Sequence, residues 1–246
     1  MTIALLSAGV LYASFVQDPS RKTDFGLAWF SDRLPLIASA AFMDSVLGAQ
    51  WTIILTAAIF LPWLGMLAAA KPQTGLPVLA GSASRRTIKA GALGAAALFA
   101  ISFVWLPSWP SEWLAQINGS NPLHAPLLNP LGCLTVLVLL RWRRPEAWLV
   151  LLSAILPQTF MWYSALALLT VAATYREACV LSLISTSGFL LASLAVYKGV
   201  SHLGIMTWTI YVGASFLPAV IVILRRPNEG HGPFWLQWLA RRRLRT

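Results

Sequence analysis

The length of the uncharged apolar segments is the feature that most constrains this chain. Trp51–Ala70, Ala178–Tyr197 and Ile205–Leu224 each hold 20 residues without a charge. A helix of about 20 apolar residues crosses the hydrocarbon core of a bilayer. Charged residues make up only 11% of the chain, against about a quarter in soluble domains. The sequence therefore predicts an all-α polytopic membrane protein.

About eight membrane segments are expected within a single helical domain, residues 1–230, and they are followed by a basic amphipathic tail, residues 231–246. The two cysteines both lie inside predicted segments and indicate no disulfide. The segments are Thr2–Val16, Trp51–Ala70, Ala90–Leu106, Leu131–Leu140, a short helical hairpin over 147–174 that counts as two, Ala178–Tyr197 and Ile205–Leu224.

The basic residues predict the orientation. Fourteen of the 18 Lys and Arg residues fall in 71–90, 141–146, 175–177 and 225–246. Cytoplasmic loops carry an excess of Lys and Arg, so these four segments are predicted to be cytoplasmic. Both termini are then cytoplasmic as well, and we expect the inner membrane of a bacterium. The dispersal of the positive charge in short clusters argues against a nucleic-acid partner.

A break in an apolar stretch predicts the hairpin at 147–174. Leu156-Pro157-Gln158-Thr159 interrupts 28 mostly apolar residues whose two flanks are both basic. Two full spans need about 40 residues, whereas one span would place the two basic flanks on opposite sides. A short hairpin that enters and leaves from the cytoplasm fits better, and a single long span stays as the alternative.

The predicted outer loop 17–50 holds the densest mixture of charges in the chain. Leu36–Ala49 within it has helical apolar spacing and is expected to lie in the membrane interface. A carboxylate beside several cations can act as a general base while the cations hold a phosphate. A solvated loop whose charges serve solubility is the alternative. The candidate base is Asp24, with Asp32 and Asp44 as alternates, and the candidate phosphate-binding residues are Arg21, Lys22 and Arg33.

The motif Asp24-Phe25-Gly-Leu-Ala-Trp-Phe resembles the first outer loop of GT-C glycosyltransferases, in particular the branch that depends on polyprenyl-phosphate-linked sugars. The stretch from Leu127 to Ala178 is similar to the middle of such proteins, where half-spanning helices occur. The resemblance implies that an aspartate of this loop is the catalytic base, that an interfacial helix follows it and that a lipid-linked donor supplies the sugar. No separate cofactor is implied.

Three further groups are candidates for binding. Asp44 lies in an apolar stretch, where an acid is costly enough to suggest a function, although a position at the water boundary explains it equally well. A substrate cavity could be lined by Gln158, Thr159, Trp162, Tyr163 and His124, and the first four could equally cap the hairpin turn. Contact with anionic lipid is expected for Arg241, Arg242, Arg243 and Arg245 of the tail.

Three classes of function remain open. The first is a GT-C-like transferase on the outer face, and the second is a non-catalytic accessory or scaffold subunit of a larger membrane complex. The third is a carrier or flippase for lipid, which predicts sensitivity at 158–163 instead of at Asp24. No spacing of His, Cys and acidic residues indicates a metal site, and no phosphate-binding glycine loop or hydrolase motif is present. Membrane lipids are the expected partners, with other membrane subunits under the second reading.

Overall fold

The structure is a computed structural model that describes residues 32–81, 85–112, 115, 124–158, 162–201, 204–230, 232–233 and 236. All regular elements in these residues are helical. The α-helices are α1 (Ala40–Leu47), α2 (Thr52–Ala57), α3 (Pro72–Ala80), α4 (Arg85–Trp105), α5 (Pro145–Ile155), α6 (Leu166–Leu169), α7 (Tyr175–Tyr197) and α8 (Ile205–Leu224). The 3-10 helices are η1 (Leu34–Ala38), η2 (Pro62–Ala70), η3 (Pro126–Leu128), η4 (Gly132–Arg141) and η5 (Trp162–Ala165).

Three helices are long and apolar enough to cross a membrane. They are α4, α7 and α8, with 21, 23 and 20 residues and mean hydropathies of 1.7, 2.0 and 1.9. At 1.5 Å per residue each is about 30 Å long, which matches the hydrocarbon core. The predicted spans Ala90–Leu106, Ala178–Tyr197 and Ile205–Leu224 correspond to these helices. The described residues hold three such helices, so they do not support the expected count of about eight spans; Thr2–Val16 lies outside them.

The predicted span Trp51–Ala70 does not hold, because this segment folds back on itself. It divides into α2 and η2, which begins at Pro62. The Lys71 ammonium that follows η2 donates to the side chains of Gln50, at 3.4 Å, and Thr52, at 3.3 Å. The two ends of a straight 20-residue helix would lie about 30 Å apart. The charge pattern predicted that Lys71 and Gln50 lie on opposite sides of a membrane. Their contact excludes this arrangement.

Close packing against α4 holds this folded-back segment. A Cβ atom at Gly94 would lie 2.0 Å from the carbonyl oxygen of Met66 in η2, and one at Gly65 would lie 2.6 Å from the carbonyl oxygen of Thr87. Both positions need glycine because backbone lies where a side chain would be. Beyond its first turns α4 has little protein around it, and Val104 and Trp105 are 86% and 87% exposed.

The helices α7 and α8 run antiparallel, and their basic ends meet. Glu177 in the first turn of α7 forms an ion pair with Arg226, just beyond α8. Arg141 donates to the carbonyl oxygen of Leu224 at 2.9 Å, and Arg144 donates to that of Pro227 at 2.7 Å. The last carbonyls of a helix lack partners within it and carry a partial negative charge, so the arginines stabilise the end of α8.

The segment 147–174 turns back on itself. The helix α5 ends at Ile155, two residues before Pro157, and η5 and α6 follow. Arg144 before the segment and Glu177 after it both contact the end of α8, at Pro227 and Arg226. The segment therefore starts and finishes beside the same helix end, whereas its entry into a membrane from the cytoplasm stays a prediction. A single straight span over these residues is excluded.

Residues 34–47 overlap the predicted interfacial helix Leu36–Ala49, and they pack along α7. Ser182 donates to the carbonyl oxygen of Pro35 at 2.8 Å, and Ala40 donates its N–H to Thr186 at 3.0 Å. Ser182 lies five residues beyond Glu177, about 7.5 Å along the helix axis. Of the residues that set the apolar spacing, Leu36 and Ala40 are buried, whereas Met43 and Leu47 are exposed. Residues 34–47 therefore start near the basic end of α7 and run along that helix away from this end.

Candidate functional site

A carboxylate, an ammonium group and an aromatic ring from three separate segments meet at Asp44, Lys71 and Tyr163. Asp44 belongs to α1, Lys71 links η2 to α3, and Tyr163 is the second residue of η5. We call these three residues the polar cluster. All three are half-buried.

The hairpin break explains the position of Asp44. Its carboxylate accepts the backbone N–H of Tyr163 at 2.9 Å. The first N–H groups of a helix have no acceptor within it, and a nearby carboxylate satisfies them with a charge-assisted bond. Asp44 therefore caps the chain where it resumes its helical path after Pro157. Ser39 fixes the start of α1 in a similar way, because its hydroxyl accepts the N–H of Phe42 at 3.2 Å.

The Lys71 ammonium lies over the Tyr163 ring. Its nitrogen is 3.9 Å from the ring centre, close enough for a cation–π interaction. Burial lowers the pKa of Lys71 to about 8, and the negative charge of Asp44 opposes this by raising it. The contacts with Gln50 and Thr52, at 3.4 and 3.3 Å, are long for hydrogen bonds. The ammonium is therefore partly desolvated and only weakly held by its neighbours.

A cavity of about 200 Å³ lies between α7 and α8, and Trp162, the chain neighbour of Tyr163, forms part of its wall. The aromatic rings of Phe189 and Tyr211 stand edge-on to Trp162, with ring centroids 5.9 and 5.3 Å away. Trp162 precedes Tyr163, so consecutive residues face the cavity and the cluster. The lining residues are Trp162, Phe189, Ala192, Ser193, Val196, Thr207 and Tyr211.

His124 and Gln158 join the chain before η3 to the tip of the hairpin. Each accepts the other's backbone N–H, at 3.3 and 3.1 Å. The His124 ring packs on Trp208 with centroids 5.0 Å apart, and the Gln158 side-chain amide donates to the carbonyl oxygen of Ser153 at 2.8 Å. These contacts fix the hairpin tip, as expected of residues that cap the turn.

Arg33 contacts an aromatic ring outside the polar cluster. Its guanidinium is stacked 5.0 Å from the ring centre of Phe60, and it directly precedes η1. Asp32 stands beside it in the chain. The other predicted site residues lie outside the described residues, and their assignments stay predictions. They are Asp24, Arg21, Lys22, Thr159, Arg241, Arg242, Arg243 and Arg245.

Asp44, Trp162 and Tyr163 are candidates from the sequence, whereas Lys71 and Tyr211 come to attention only through the structure. Lys71 follows an apolar run and precedes other basic residues, which is typical of a cytoplasmic loop. Only the fold-back of 51–70 brings it to Tyr163. Tyr211 lies inside an apolar helix, and its position gave no signal. Among the described residues, no three His, Cys, Asp or Glu side chains come together as metal ligands do.

The helices define the chain as an integral membrane protein, since three of them have the length and hydropathy to cross a bilayer. Comparison with known proteins finds no family model, no curated protein and no solved structure that matches it.

Proposed function

We propose that this membrane protein is a glycosyltransferase of the GT-C kind, which takes a sugar from a polyprenyl-phosphate donor, and that Asp44 is its general base. The convergence of Asp44, Lys71 and Tyr163 is the observation that carries the proposal. The resemblance of the stretches around Asp24 and after Leu127 to such enzymes supports it as well.

The chemistry needs one base and a compensating positive charge. The Asp44 carboxylate takes the proton from an acceptor hydroxyl as that oxygen bonds to the sugar carbon. The bond between this carbon and the donor phosphate breaks, and the polyprenyl phosphate leaves with the electron pair and one more negative charge. A general base contributes about 10²- to 10⁴-fold to such a rate, and a cation near the phosphate stabilises the developing charge.

Asp44 is preferred to the other acids because its surroundings are known and suitable. It has a fixed orientation through Tyr163 and a cation nearby. Asp32 and Arg33 come directly before η1. Pro35 of η1 contacts Ser182, so this part of the chain lies near the basic end of α7. Asp24, the base that the family resemblance implies, is the competing candidate within the same proposal.

Transfer of radiolabelled sugar from a synthetic polyprenyl-phosphate donor, with the purified protein in lipid nanodiscs, tests the proposal. Asp44→Asn should reduce transfer at least 100-fold with unchanged thermal stability, because the amide oxygen can still accept the Tyr163 N–H. Asp24→Asn is the matched comparison. If only Asp24→Asn abolishes transfer, the base is misassigned. If the wild-type protein transfers no sugar from any such donor, the enzymatic proposal fails.

The exposed surface of α4 favours a second candidate, an accessory subunit of a larger membrane complex. Only 11% of its most apolar 18-residue window is buried, against 61% for α8. Lipid can cover such a surface, and so can another subunit. Native mass spectrometry after gentle extraction distinguishes the two, since a subunit retains protein partners at fixed ratios and tolerates Asp44→Asn.

We propose further that the end where Arg141, Glu177 and Arg226 meet is cytoplasmic, in a bacterial inner membrane with both termini inside. The positive-inside tendency of basic loops supports this orientation. Single cysteines at Asn228 and Ser201, in a variant without Cys133 and Cys179, test it with a membrane-impermeant thiol reagent. In intact cells Ser201→Cys should react and Asn228→Cys should not. The reverse pattern would invert the topology.

A further inference from the structure

We propose that the basic end of α7 and α8, together with an apolar groove between these helices, binds an anionic phospholipid of the surrounding bilayer. The lipid phosphate lies at Arg176 and Arg225, and an acyl chain lies in the groove. The site contains no residue of the polar cluster, so it does not depend on the proposed sugar transfer. It also uses other residues than the lipid contact predicted for the tail, residues 241–245.

Arg176 and Arg225 project from the same side of the helix pair. Each directly precedes a member of the ion pair between Glu177 and Arg226, which joins the two helix ends. Successive residues of a helix are about 100° apart around its axis. Because the helices are antiparallel, these rotations run in opposite senses when both are viewed from the basic end. The residue before Glu177 and the residue before Arg226 therefore turn to one side of the plane that contains both axes.

The charges of Arg176 and Arg225 are available to a ligand. Both residues are exposed, and in the described part of the chain neither side chain pairs with an acid. Their neighbours differ, since Arg226 is held by Glu177 and Arg141 donates to the last carbonyls of α8. A guanidinium group binds phosphate oxygens with paired, charge-assisted hydrogen bonds. The two exposed arginines can therefore hold a lipid phosphate from two sides.

The apolar groove lies on the same side of the helix pair. Its volume is about 510 Å³, and Leu183 of α7 and Ala214 of α8 line it. Leu183 is seven residues from Arg176, close to two helical turns, and Ala214 is eleven residues from Arg225, close to three turns. Each groove residue is thus on the helix face of its arginine, about 10 and 16 Å along the axis. This is the depth of the acyl chains in one leaflet, about 15 Å.

Exposed apolar side chains connect the arginines to the groove. Val180 follows Arg176 by one turn, Ile221 precedes Arg225 by one turn, and both are exposed. Because α7 and α8 are long enough to cross the bilayer, their ends lie near the lipid headgroups and their middles lie in the hydrocarbon. A phosphate at the arginines therefore places its acyl chains beside Val180 and Ile221. A free phosphate would use the arginines alone.

Photolabelling of the full-length protein in nanodiscs tests the site. Phosphatidylglycerol is the anionic probe and phosphatidylcholine is the zwitterionic one, each with a photoactivatable group on an acyl chain. Mass spectrometry of the labelled peptides should show phosphatidylglycerol at residues 183–191 and 209–214, in excess over phosphatidylcholine by roughly fivefold or more. Nanodiscs expose both leaflets, so the result does not depend on the orientation of the protein in cells.

Replacing the arginines tests the headgroup contact. The double variant Arg176→Gln, Arg225→Gln should reduce groove labelling by phosphatidylglycerol to the level of phosphatidylcholine. Arg86→Gln, at another exposed arginine near the start of α4, is the matched control and should leave the labelling unchanged. Equal groove labelling by the two lipids in the wild-type protein, or an excess of phosphatidylglycerol that survives in the double variant, would overturn the proposal.

Filling the groove tests the acyl-chain contact. Ser187→Phe and Leu191→Trp, at two residues that line the groove, should each reduce its labelling by both lipids. Ala97→Phe, on the exposed surface of α4, should not. Two filling variants are used so that misfolding of one does not decide the result. Unchanged labelling in both of them would exclude the groove as the site of the acyl chain.

Competition identifies the occupant. Inorganic phosphate should not displace phosphatidylglycerol from the groove, because it has no acyl chain. Displacement by inorganic phosphate would mean that the arginines bind a free anion. Farnesyl phosphate at an equal mole fraction should displace little of the label, and complete displacement would assign the site to a prenyl phosphate. Either displacement would refute the assignment to a phospholipid.

Discussion

The titration of Lys71 tests the geometry of the polar cluster most directly. Burial lowers the pKa of this lysine from 10.5 to about 8, while Asp44 raises it. Replacing Asp44 by Asn removes the negative charge and leaves the burial. We therefore expect the pKa of Lys71 to fall below 8 in the Asp44→Asn variant, measured without ligand.

The size of the effect follows from the two protonation states. At pH 7.5 a lysine of pKa 8 is neutral in about a quarter of the molecules, whereas one of pKa 10.5 is neutral in about 0.1%, a difference of more than 200-fold. Between about pH 8 and 10.5 the unfolded chain holds this proton and the folded chain does not. Unfolding then takes up a proton, so the contribution of Lys71 makes the folded state more stable as the pH rises through that window.

Competitive acylation with trace acetic anhydride, read by mass spectrometry of the peptide that contains Lys71, measures the midpoint. Only the neutral amine reacts, and the midpoint is compared instead of the absolute rate because Lys71 is half-buried. The exposed Lys89 is the internal reference. A wild-type midpoint near 10.5, or an Asp44→Asn midpoint that is unchanged or higher, would refute the placement of Lys71 beside Asp44.

Two further predictions concern the contacts that shape the site. Asp44→Ala should speed hydrogen exchange at the Tyr163 amide by roughly 10- to 100-fold, which corresponds to the loss of about 1.5–3 kcal/mol expected for a hydrogen bond to a charged group. Asp44→Asn should keep most of the protection, and equal exchange rates in the two variants would contradict the capping role of Asp44. Gly94→Ala should destabilise the protein by about 1–3 kcal/mol, because the added Cβ meets the Met66 carbonyl oxygen at 2.0 Å. Gly213→Ala is its control, since its Cβ would meet only a methyl group at 3.4 Å, and equal thermal unfolding in detergent would argue against packing of the folded-back segment on α4.

Length and hydropathy were sufficient to predict the three long helices, since a 20-residue apolar run that stays helical has few alternatives in a bilayer. The break of the hairpin also followed from the sequence, because a proline removes a backbone hydrogen bond and favours a break at Pro157. The same two signals failed at Trp51–Ala70. That run is as apolar as α8 and also contains a proline, yet α8 continues through Pro218 and the run turns back before Pro62.

Neighbouring elements explain the difference between these two prolines. Backbone groups freed by a proline need partners from other parts of the chain, and a folded-back segment must find a close surface to pack on. The glycine at position 94 supplies that surface for η2, and a sequence pattern does not show which segments will meet. The position of Lys71 beside Tyr163 could not be predicted for the same reason, because it depends on where the segment before it ends in space.

The hairpin also bears on how the protein enters a membrane. Residues 147–174 contain no charged side chain, and the residues on either side of them contact the same end of α8. Insertion of this segment into a membrane from the side of that helix end would move no charged residue across the lipid, so the several kcal/mol that such a transfer costs would not arise. An inserted segment of this kind could be added late in biogenesis, once α8 has been made and its end is available to Arg144 and Glu177.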